Sequence, residues 1–191
     1  WMESQVKRSP LFKHLNVNLI PFGINHSIFY PKNKKAIRDK MRIPNNAKVI
    51  VARCHYSEFK GFDYIEYALK NIKHSDGVYV ILFDKKIKSK LGNHTYIEYD
   101  WIKDDNLLSE IYSASDLVLM PSIVDTFGLT AVEAMSCGAL PIVLDGTALP
   151  DVVNAPNCGV SIKRDKEEYA KTVQYYLDND KIRLEKIRKC V

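Results

Sequence analysis

The sequence predicts an α/β domain built around a doubly wound parallel sheet. Short apolar runs bounded by turn residues alternate with amphipathic stretches, which is the pattern of strand-helix-strand units. The 191 residues, of which 46% are hydrophobic, suffice for one full core and leave little room for two domains. The chain contains no internal repeat, low-complexity tract or long linker. We therefore expect a single compact domain of this class.

Six apolar runs are predicted to form the strands, namely 49–52, 78–83, 96–99, 117–120, 140–144 and 160–162. A helix is predicted after the first run, with one apolar face against the sheet. The residues of that face recur at helical spacing: Phe62, Ile65, Leu69 and Ile72. Further helices are predicted at about 106–113, 129–136, 167–177 and from about 181. Gly138 and then Pro141 end the helix at 129–136.

The segment before Pro31 differs in character from the rest of the chain. Its stretch Asn18-Leu19-Ile20-Pro21-Phe22-Gly23 is typical of a connector that enters a domain. We therefore take residues 31–191 as the α/β domain. In such sheets ligands bind beyond the carboxyl ends of the strands, so the loops at that edge are the candidate site.

The charge balance favours small anionic partners over nucleic acid. The net charge of +5 suits phosphates, but the basic residues are dispersed and form no stripe. One local cluster, Lys85, Lys86, Lys88 and Lys90, is predicted to be a solvated helix face rather than a binding site.

Cysteine usage and hydropathy indicate the cellular location that we expect for the protein. The four cysteines lie far apart, without a Cys-x-x-Cys pair or accompanying histidines, so neither a zinc site nor a disulfide framework is predicted. We infer a reducing, cytoplasmic environment. No apolar run approaches the roughly 20 residues of a membrane-spanning helix, so any membrane contact is expected to be peripheral.

The segment from Leu117 to Leu144 contains only two charged residues, Asp125 and Glu133. Glu133 lies in an otherwise apolar helix, where an unpaired ionised carboxylate costs several kcal/mol. Two interpretations remain open: an internal salt bridge or hydrogen bond, or a ligand with hydroxyl groups. A carboxylate accepts two hydrogen bonds side by side, which matches adjacent ribose hydroxyls.

The start of this helix is a second candidate feature. Thr126, Phe127, Gly128 and Leu129 follow Asp125, and the free N–H groups of a helix start face the crevice. The absence of a Cβ at Gly128 lets the backbone approach a ligand, and the helix dipole favours a phosphate or sugar oxygen. Alternatively, Gly128 only eases a turn.

These residues carry a resemblance to a known family. Pro121-Ser122, Asp125-Thr126-Phe127-Gly128-Leu129, Glu133-Ala134-Met135, Gly138 and Pro141 closely resemble the family 4 retaining glycosyltransferases of GT-B fold. The resemblance implies a Rossmann-like domain, the C-terminal half of a GT-B enzyme, that binds a nucleotide-diphosphate sugar as donor. It also implies that Glu133 binds the ribose and Asp125 the transferred sugar, with Thr126 and the amides of residues 127–129 nearby. The family usually has Glu where Asp125 stands, one methylene longer.

The likeness continues along most of the chain. Pro21-Phe22-Gly23-Ile24-Asn25 resembles the family's hinge, so residues 1–30 are interpreted as the end of an N-terminal domain and the interdomain connector. Arg53 at a strand end and Lys60 before a helix match the family's paired basic residues on the donor diphosphate. Two such cations would stabilise the leaving group, and with Asp125 they form the expected catalytic set. Without the resemblance, both would be interpreted as ordinary surface charges.

Several glycines that are usual in this family are absent. Ala52 precedes Arg53, Phe83-Asp84 follow the second strand, and Thr147-Ala148 precede Leu149. Asp100 replaces another glycine beside Trp101 and Ile102, which the resemblance places near the nucleobase. The general pocket is expected to remain, whereas the identity of the donor does not follow from the relatives.

The expected activity is transfer of a sugar with retention of configuration, in polysaccharide or glycoconjugate synthesis. No cofactor or essential metal is expected. The acceptor, a saccharide, lipid or protein, would bind through an N-terminal domain, and a lipid acceptor would bring the enzyme to the inner face of the membrane. Because the chain begins at Trp1 and its last helix ends abruptly, we expect part of a longer enzyme, which alone binds donor but transfers little.

Other function classes remain as alternatives. A non-catalytic nucleotide-sugar-binding module would share the pocket, as would another GT-B enzyme such as a nucleotide-sugar epimerase or a sugar phosphorylase. A dinucleotide-binding dehydrogenase is disfavoured because no Gly-x-Gly pair occurs. Asp178-Asn179-Asp180 imitates a metal-binding Asp-x-Asp motif, but it follows a helix and is interpreted as a turn and helix cap.

Overall fold

A six-stranded parallel sheet forms the centre of the computed structural model, which describes residues 1–75 and 77–190. Its strands are β1 (Lys48–Cys54), β2 (Val78–Asp84), β3 (Thr95–Glu98), β4 (Leu117–Met120), β5 (Leu140–Leu144) and β6 (Val160–Ile162). They pair in the order β3-β2-β1-β4-β5-β6, and every pair is parallel. The order reverses between β1 and β4, so the topological switch point lies between these two strands. The predicted fold class is confirmed.

Eight α-helices and one 3-10 turn occur in the described residues. They are α1 (Met2–Arg8), α2 (Lys34–Lys40), the 3-10 turn Glu58–Lys60, α3 (Phe62–Asn71), α4 (Asp105–Ala114), α5 (Leu129–Ser136), α6 (Leu149–Val152), α7 (Lys166–Asp178) and α8 (Asp180–Arg188). The bounds of β4, β5, β6 and α5 are those predicted, and the other predicted elements differ by one or two residues at their ends. Asn179 is the cap residue between α7 and α8, in agreement with its interpretation as a turn and helix cap.

The core has two layers because successive side chains of a strand point to opposite faces. On β1, Ile50 and Ala52 belong to the cluster that packs under α3 and α7, whereas Val49 and Val51 belong to the cluster under α4. All four are fully buried. Helices on both faces explain why the central strands are continuous apolar runs.

The interpretation of the lysine cluster as a helix face is wrong. Residues 85–91 form a loop between β2 and β3, and Lys85, Lys86, Lys88 and Lys90 are solvent-exposed on it. The backbone amides of this loop bond to side chains instead of to a helix ladder. The amide of Ile87 donates to Glu98 at 2.9 Å and that of Lys88 to the Tyr56 hydroxyl at 3.0 Å.

A buried aspartate ties the helices to the amino edge of the sheet. The carboxylate of Asp116 accepts hydrogen bonds from Lys34 at 2.7 Å, Arg38 at 2.9 Å, Arg183 at 3.3 Å and the Val49 amide at 2.8 Å. These contacts join α2, α8, β1 and the start of β4. They lie at the edge opposite the switch-point loops, so the framework and the candidate site are spatially separate.

Two further sequence expectations concern the membrane and the cysteines. Within residues 1–75 and 77–190 no helix is both long enough and apolar enough to cross a bilayer. Cys54, Cys137, Cys158 and Cys190 are all free thiols, and the first three are buried.

Candidate functional site

A cleft of about 310 Å³ opens at the carboxyl ends of β1 and β4, at the switch point. The loops that leave these strands run in opposite directions and so create a crevice between them. Seven of the predicted site residues line the cleft: Arg53, Lys60, Asp125, Thr126, Phe127, Gly128 and Leu129. Three others, Trp101, Ile102 and Glu133, do not belong to its lining.

Arg53, next to the last residue of β1, brings the first cation to the cleft. Its Nε donates to Asp84 Oδ2 at 2.7 Å, and its guanidinium carbon lies 4.9 Å from the centroid of the Trp101 ring. Trp101 is therefore linked to the cleft through Arg53 and not by lining it. Ile102 is partly buried and packs against the core cluster under α4.

Lys60 and Asp125 pair with one another across the cleft. Lys60 Nζ lies 3.3 Å from Asp125 Oδ2, and the other carboxylate oxygen accepts a hydrogen bond of 3.3 Å from the Phe127 amide. The Asp125 side chain is 11% exposed. The resemblance assigns Lys60 to the diphosphate and Asp125 to the transferred sugar. In this structure the two side chains form an ion pair with each other.

Gly61 holds Lys60 in this position. It has φ +61, and a Cβ built there would lie 1.9 Å from the carbonyl oxygen of Pro121. The loop after β1 therefore contacts the loop after β4 directly, and the Ile123 amide donates to the Phe59 carbonyl at 2.9 Å. Only glycine permits both the left-handed backbone and this approach.

Gly128 serves packing as well as the turn into α5. Its φ is +90, and a Cβ would meet Leu149 Cδ2 at 2.2 Å and Met120 Cε at 3.1 Å. The close approach is therefore to α6 and β4, beside the cleft. Within the described chain, the amides of Gly128 and Leu129 have no hydrogen-bond acceptor, whereas that of Phe127 already bonds to Asp125. Two of the three predicted amide donors are available to a ligand.

Glu133, one turn further along α5, is half-buried and has no partner among the described residues. Its carboxylate makes no hydrogen bond or ion pair with residues 1–75 or 77–190. Burial raises the pKa of Glu133 above its ordinary value, and the negative charge of Asp105 raises it further. Of the two interpretations left open by the sequence, the internal salt bridge finds no support. A carboxylate in this state gains most from a ligand that donates hydrogen bonds.

Sequence reasoning missed two contributors to the site. Asp84 was noted only as a replacement for glycine, yet it is the partner of Arg53. The signal was available, because Asp84 ends the strand next to β1 and the carboxyl ends of parallel strands share one edge. Phe22 was assigned to the connector alone, yet it lines the cleft with its ring 5.1 Å from that of Phe127.

The arrangement combines two kinds of recognition, in the cleft and on α5 beyond its lining. Two cations and two free helix-start amides suit an anion with several oxygens, such as a phosphate. Two carboxylates, Asp125 and Glu133, suit hydroxyl groups. In the part of the chain that the structure describes, no group of three or more His, Cys, Asp or Glu residues could hold a metal ion.

Comparison with known proteins identifies the family of the chain. The family described as glycosyl transferases group 1 matches residues 33–189. A glycogen synthase of Streptococcus uberis is 32% identical over 155 residues, covering 72% of this chain and 30% of the relative. The chain spans less than half the length of the curated relatives that it matches.

Two solved structures show the fold. The sucrose-phosphate synthase of Thermosynechococcus elongatus superposes with a TM-score of 0.79 at 22% identity, covering 98% of this chain and 52% of that one. The Anabaena protein HepE, solved in complex with UDP-glucose, gives a TM-score of 0.69 at 17% identity, covering 88% of this chain and 49% of that one. The structural neighbours are GT-B glycosyltransferases.

Proposed function

The chain belongs to the glycosyl transferases group 1 family, and from that premise we propose that it is the donor-binding part of a retaining glycosyltransferase. The reaction would move a sugar from a nucleotide-diphosphate sugar to an acceptor, with retention of configuration, in polysaccharide or glycoconjugate synthesis. The observation that carries the proposal is the cleft at the switch point, where Arg53, Lys60 and Asp125 converge with the start of α5. The UDP-glucose complex of HepE supports a nucleotide sugar as the donor class.

The diphosphate is assigned to Arg53 and Lys60. Both line the cleft, and each is paired with a carboxylate in the free chain, Arg53 with Asp84 and Lys60 with Asp125. A phosphate that takes Lys60 releases Asp125, which then becomes available to the hydroxyls of the transferred sugar. When the sugar-phosphate bond breaks, the two cations stabilise the negative charge that develops on the departing diphosphate.

The rest of the donor is assigned to the two sides of this centre. Glu133 accepts hydrogen bonds from the ribose hydroxyls, which relieves an otherwise unpartnered carboxylate. Trp101 and Ile102 are assigned to the nucleobase; the Trp101 side chain is 55% exposed, and its ring centroid lies 4.9 Å from the guanidinium carbon of Arg53. The amides of Gly128 and Leu129 contact phosphate or sugar oxygens. Attack by the acceptor from the side of the leaving group, through an oxocarbenium-like sugar, accounts for retention and is taken from the family resemblance.

We propose that the reaction needs no cofactor and no essential metal, because the chain itself supplies two cations for the diphosphate. The acceptor, a saccharide, lipid or protein, is assigned to an N-terminal domain joined through residues 1–30. The exposed apolar side chains of that segment support a covering partner: Leu11, Phe12, Leu15, Leu19 and Ile20. The enzyme is proposed to act in the cytoplasm, at the inner face of the membrane when its acceptor is a lipid, and nucleic acid is not a proposed partner.

A transfer assay tests the reaction. A longer protein containing this chain is incubated with UDP-, ADP- and GDP-glucose and a panel of acceptors, and the anomeric coupling of the product is read by NMR. The expected product keeps the configuration of the donor, and Asp125→Asn is expected to reduce turnover at least about 10-fold, or ~1.4 kcal/mol of barrier. An inverted product would contradict the mechanism. Donor binding without transfer to any acceptor would favour a non-catalytic module, and a changed sugar without an acceptor would favour an epimerase.

A further inference from the structure

Arg53 is held in the free chain in a way that leaves its two terminal nitrogens unused. Its Nε donates to Asp84 Oδ2 at 2.7 Å, and the guanidinium lies over the Trp101 ring. Within residues 1–75 and 77–190, Nη1 and Nη2 donate no hydrogen bond. Arg53 lines the cleft, whereas Asp84 and Trp101 do not. The two partners therefore contact the guanidinium from outside the cleft lining.

We propose that Asp84 is a positioning residue that orients the Arg53 guanidinium so that both Nη groups face the diphosphate of the donor. This inference rests on the proposed function, because it assigns the diphosphate to Arg53. A planar fork with two parallel N–H groups matches two phosphate oxygens, whereas an arginine free to rotate loses part of this advantage.

The strand register brings Asp84 to the same edge of the sheet as Arg53. β1 and β2 are adjacent and parallel, with Arg53 opposite Phe83 and Cys54 opposite Asp84. Asp84 is thus one position further along β2 than Phe83, the residue that lies opposite Arg53 in the sheet. Its side chain is 12% exposed, against 34% for Arg53, so the carboxylate is the more rigidly placed member of the pair.

The backbone of Asp84 supplies an independent observation. Asp84 has φ +90, a conformation that glycine adopts freely and that costs a residue with a Cβ roughly 1 kcal/mol or more. Aspartate is one of the few other residues that tolerate positive φ. The chain therefore keeps a strained residue where glycine would be relaxed, and the carboxylate that glycine would lack is the group that holds Arg53.

Trp101 and Asp84 restrict different motions of the guanidinium. The cation–π contact with the Trp101 ring, 4.9 Å from the guanidinium carbon to the ring centroid, holds the group over the ring but does not by itself fix its rotation. The bond from Nε to Asp84 restricts this rotation. Asp84 also carries a negative charge, which opposes binding of an anion, so orientation and charge act in opposite directions and must be separated by experiment.

Two substitutions separate these effects. Asp84→Gly removes the acceptor and relaxes the backbone, so the variant should fold at least as well as the parent. Asp84→Asn keeps an oxygen that accepts from Nε and tolerates positive φ, but it removes the charge. We expect Asp84→Gly to bind a nucleoside diphosphate about 5-fold more weakly and Asp84→Asn to bind it as well as the parent or better.

The measurement is calorimetric titration of this chain with UDP, GDP and ADP, followed by the corresponding nucleosides for whichever diphosphate binds. The effect of Asp84→Gly should be confined to the diphosphate and should vanish in an Arg53→Ala background, as for residues that act through one another. Asn154→Gly is the matched control, because it relaxes another positive-φ residue that does not line the cleft, without changing the charge. It should leave affinity unchanged.

Each outcome has a separate meaning. If the parent binds a diphosphate and Asp84→Gly binds it equally or more tightly, the positioning role is overturned and the proposed function stands. The positioning role is also overturned if Asp84→Gly weakens binding as much in the Arg53→Ala background as it does in the parent. If the parent binds none of the diphosphates, the proposed function fails and this inference fails with it.

Discussion

At the scale of single residues, the candidate site contains two ion pairs and one unpaired acid. Lys60 pairs with Asp125 and Arg53 with Asp84, while Glu133 has no partner in the described chain. The basic side chains of these pairs are 34% and 33% exposed and the carboxylates 12% and 11%. Their proposed role is to keep opposite charges in place until the phosphate and hydroxyl groups of a ligand replace them.

Glu133 is predicted to lower stability at neutral pH. Burial and the charge of Asp105 raise the pKa of Glu133 above the ordinary 4.5. Between 4.5 and the higher pKa of the folded state, the folded chain therefore binds more protons than the unfolded chain. The free energy of unfolding therefore falls as the pH rises through that window. Glu133→Gln should stabilise the chain at pH 7 by up to ~1 kcal/mol, because solvent screens a half-exposed charge.

Urea denaturation of both proteins at several pH values checks this prediction. The advantage of Gln should disappear below pH 4.5, where both states of the parent are protonated. The same variant should bind nucleotide more weakly if Glu133 accepts from ribose. A Gln variant that is less stable at pH 7 would show that Glu133 has a stabilising partner after all.

The sequence indicated which residues meet at the cleft but not how they pair. The motif from Pro121 to Glu133 specifies its own local conformation, so Asp125, the turn at Gly128 and α5 were predictable. The pairs Lys60–Asp125 and Arg53–Asp84 join residues 65 and 31 positions apart. Such pairs depend on strand order and on loop-loop contacts such as that of Gly61 with Pro121, which no local pattern specifies.

At the scale of elements, the contact between the loops after β1 and β4 determines where Lys60 lies. Gly61→Ala would bring a Cβ 1.9 Å from the Pro121 carbonyl oxygen. Gly77 is the matched control, because it has φ +80 but nothing within 4 Å of a built Cβ. Both variants place a Cβ on a backbone with positive φ, and only Gly61→Ala adds the clash. We expect Gly61→Ala to be destabilised by ~2 kcal/mol more than Gly77→Ala in thermal or urea unfolding.

Equal destabilisation of the two variants would contradict the close loop contact. In the expected case, Gly61→Ala should also weaken nucleotide binding, since Lys60 moves with the loop. Gly77→Ala should leave binding unchanged.

The amino edge of the sheet depends on Asp116. Burial alone would raise the pKa of this carboxyl, but the charges of Lys34, Arg183 and Arg38 outweigh burial and hold the pKa below its ordinary 3.8. Its contribution to stability is therefore fully present above pH 3.8 and is lost as the pH falls through the lower, folded-state value. Asp116→Ala leaves buried cations without their counter-charge and should cost ~3–5 kcal/mol.

Denaturant unfolding measures this loss, and Glu110→Gln is the control. Glu110 pairs with Lys40 at 2.7 Å on the surface, and removing that pair should not change stability measurably. At a temperature where Asp116→Ala is still folded, its nucleotide affinity should equal that of the parent. A selective loss of affinity would contradict the separation of framework and site.

Elements with a strong apolar period were predictable, and several short helices were not. β4, β5, β6 and α5 agree with the predicted bounds, whereas α1, α2 and α6 were not predicted. α6 has only four residues, and α1 buries none of its side chains, so neither carries a periodic signal. The lysine-rich loop shows the opposite error: its charged residues are favourable to a helix, yet they lie between β2 and β3, where the amides of Ile87 and Lys88 bond to Glu98 and Tyr56.

At the scale of the whole molecule, strand order places the site. The order β3-β2-β1-β4-β5-β6 puts the ends of β1 and β4 side by side, although the two strands are separated by more than 60 residues of sequence. The alternation of strands and helices predicted the fold class, and the motif resemblance predicted the family. The family match over residues 33–189 confirms that resemblance, while donor, acceptor and mechanism remain proposals.

The central claim is that this cleft binds a nucleotide-diphosphate sugar, and one measurement tests it most directly. The chain is titrated calorimetrically with UDP, GDP, ADP and their glucose conjugates, alongside Arg53→Ala, Glu133→Ala and the surface control Lys40→Ala. We predict that one nucleotide binds selectively, that Arg53→Ala and Glu133→Ala each lose at least about 10-fold in affinity, or ~1.4 kcal/mol, and that the control does not. Binding of no nucleotide by the parent, or binding that survives both of these substitutions, would contradict the claim.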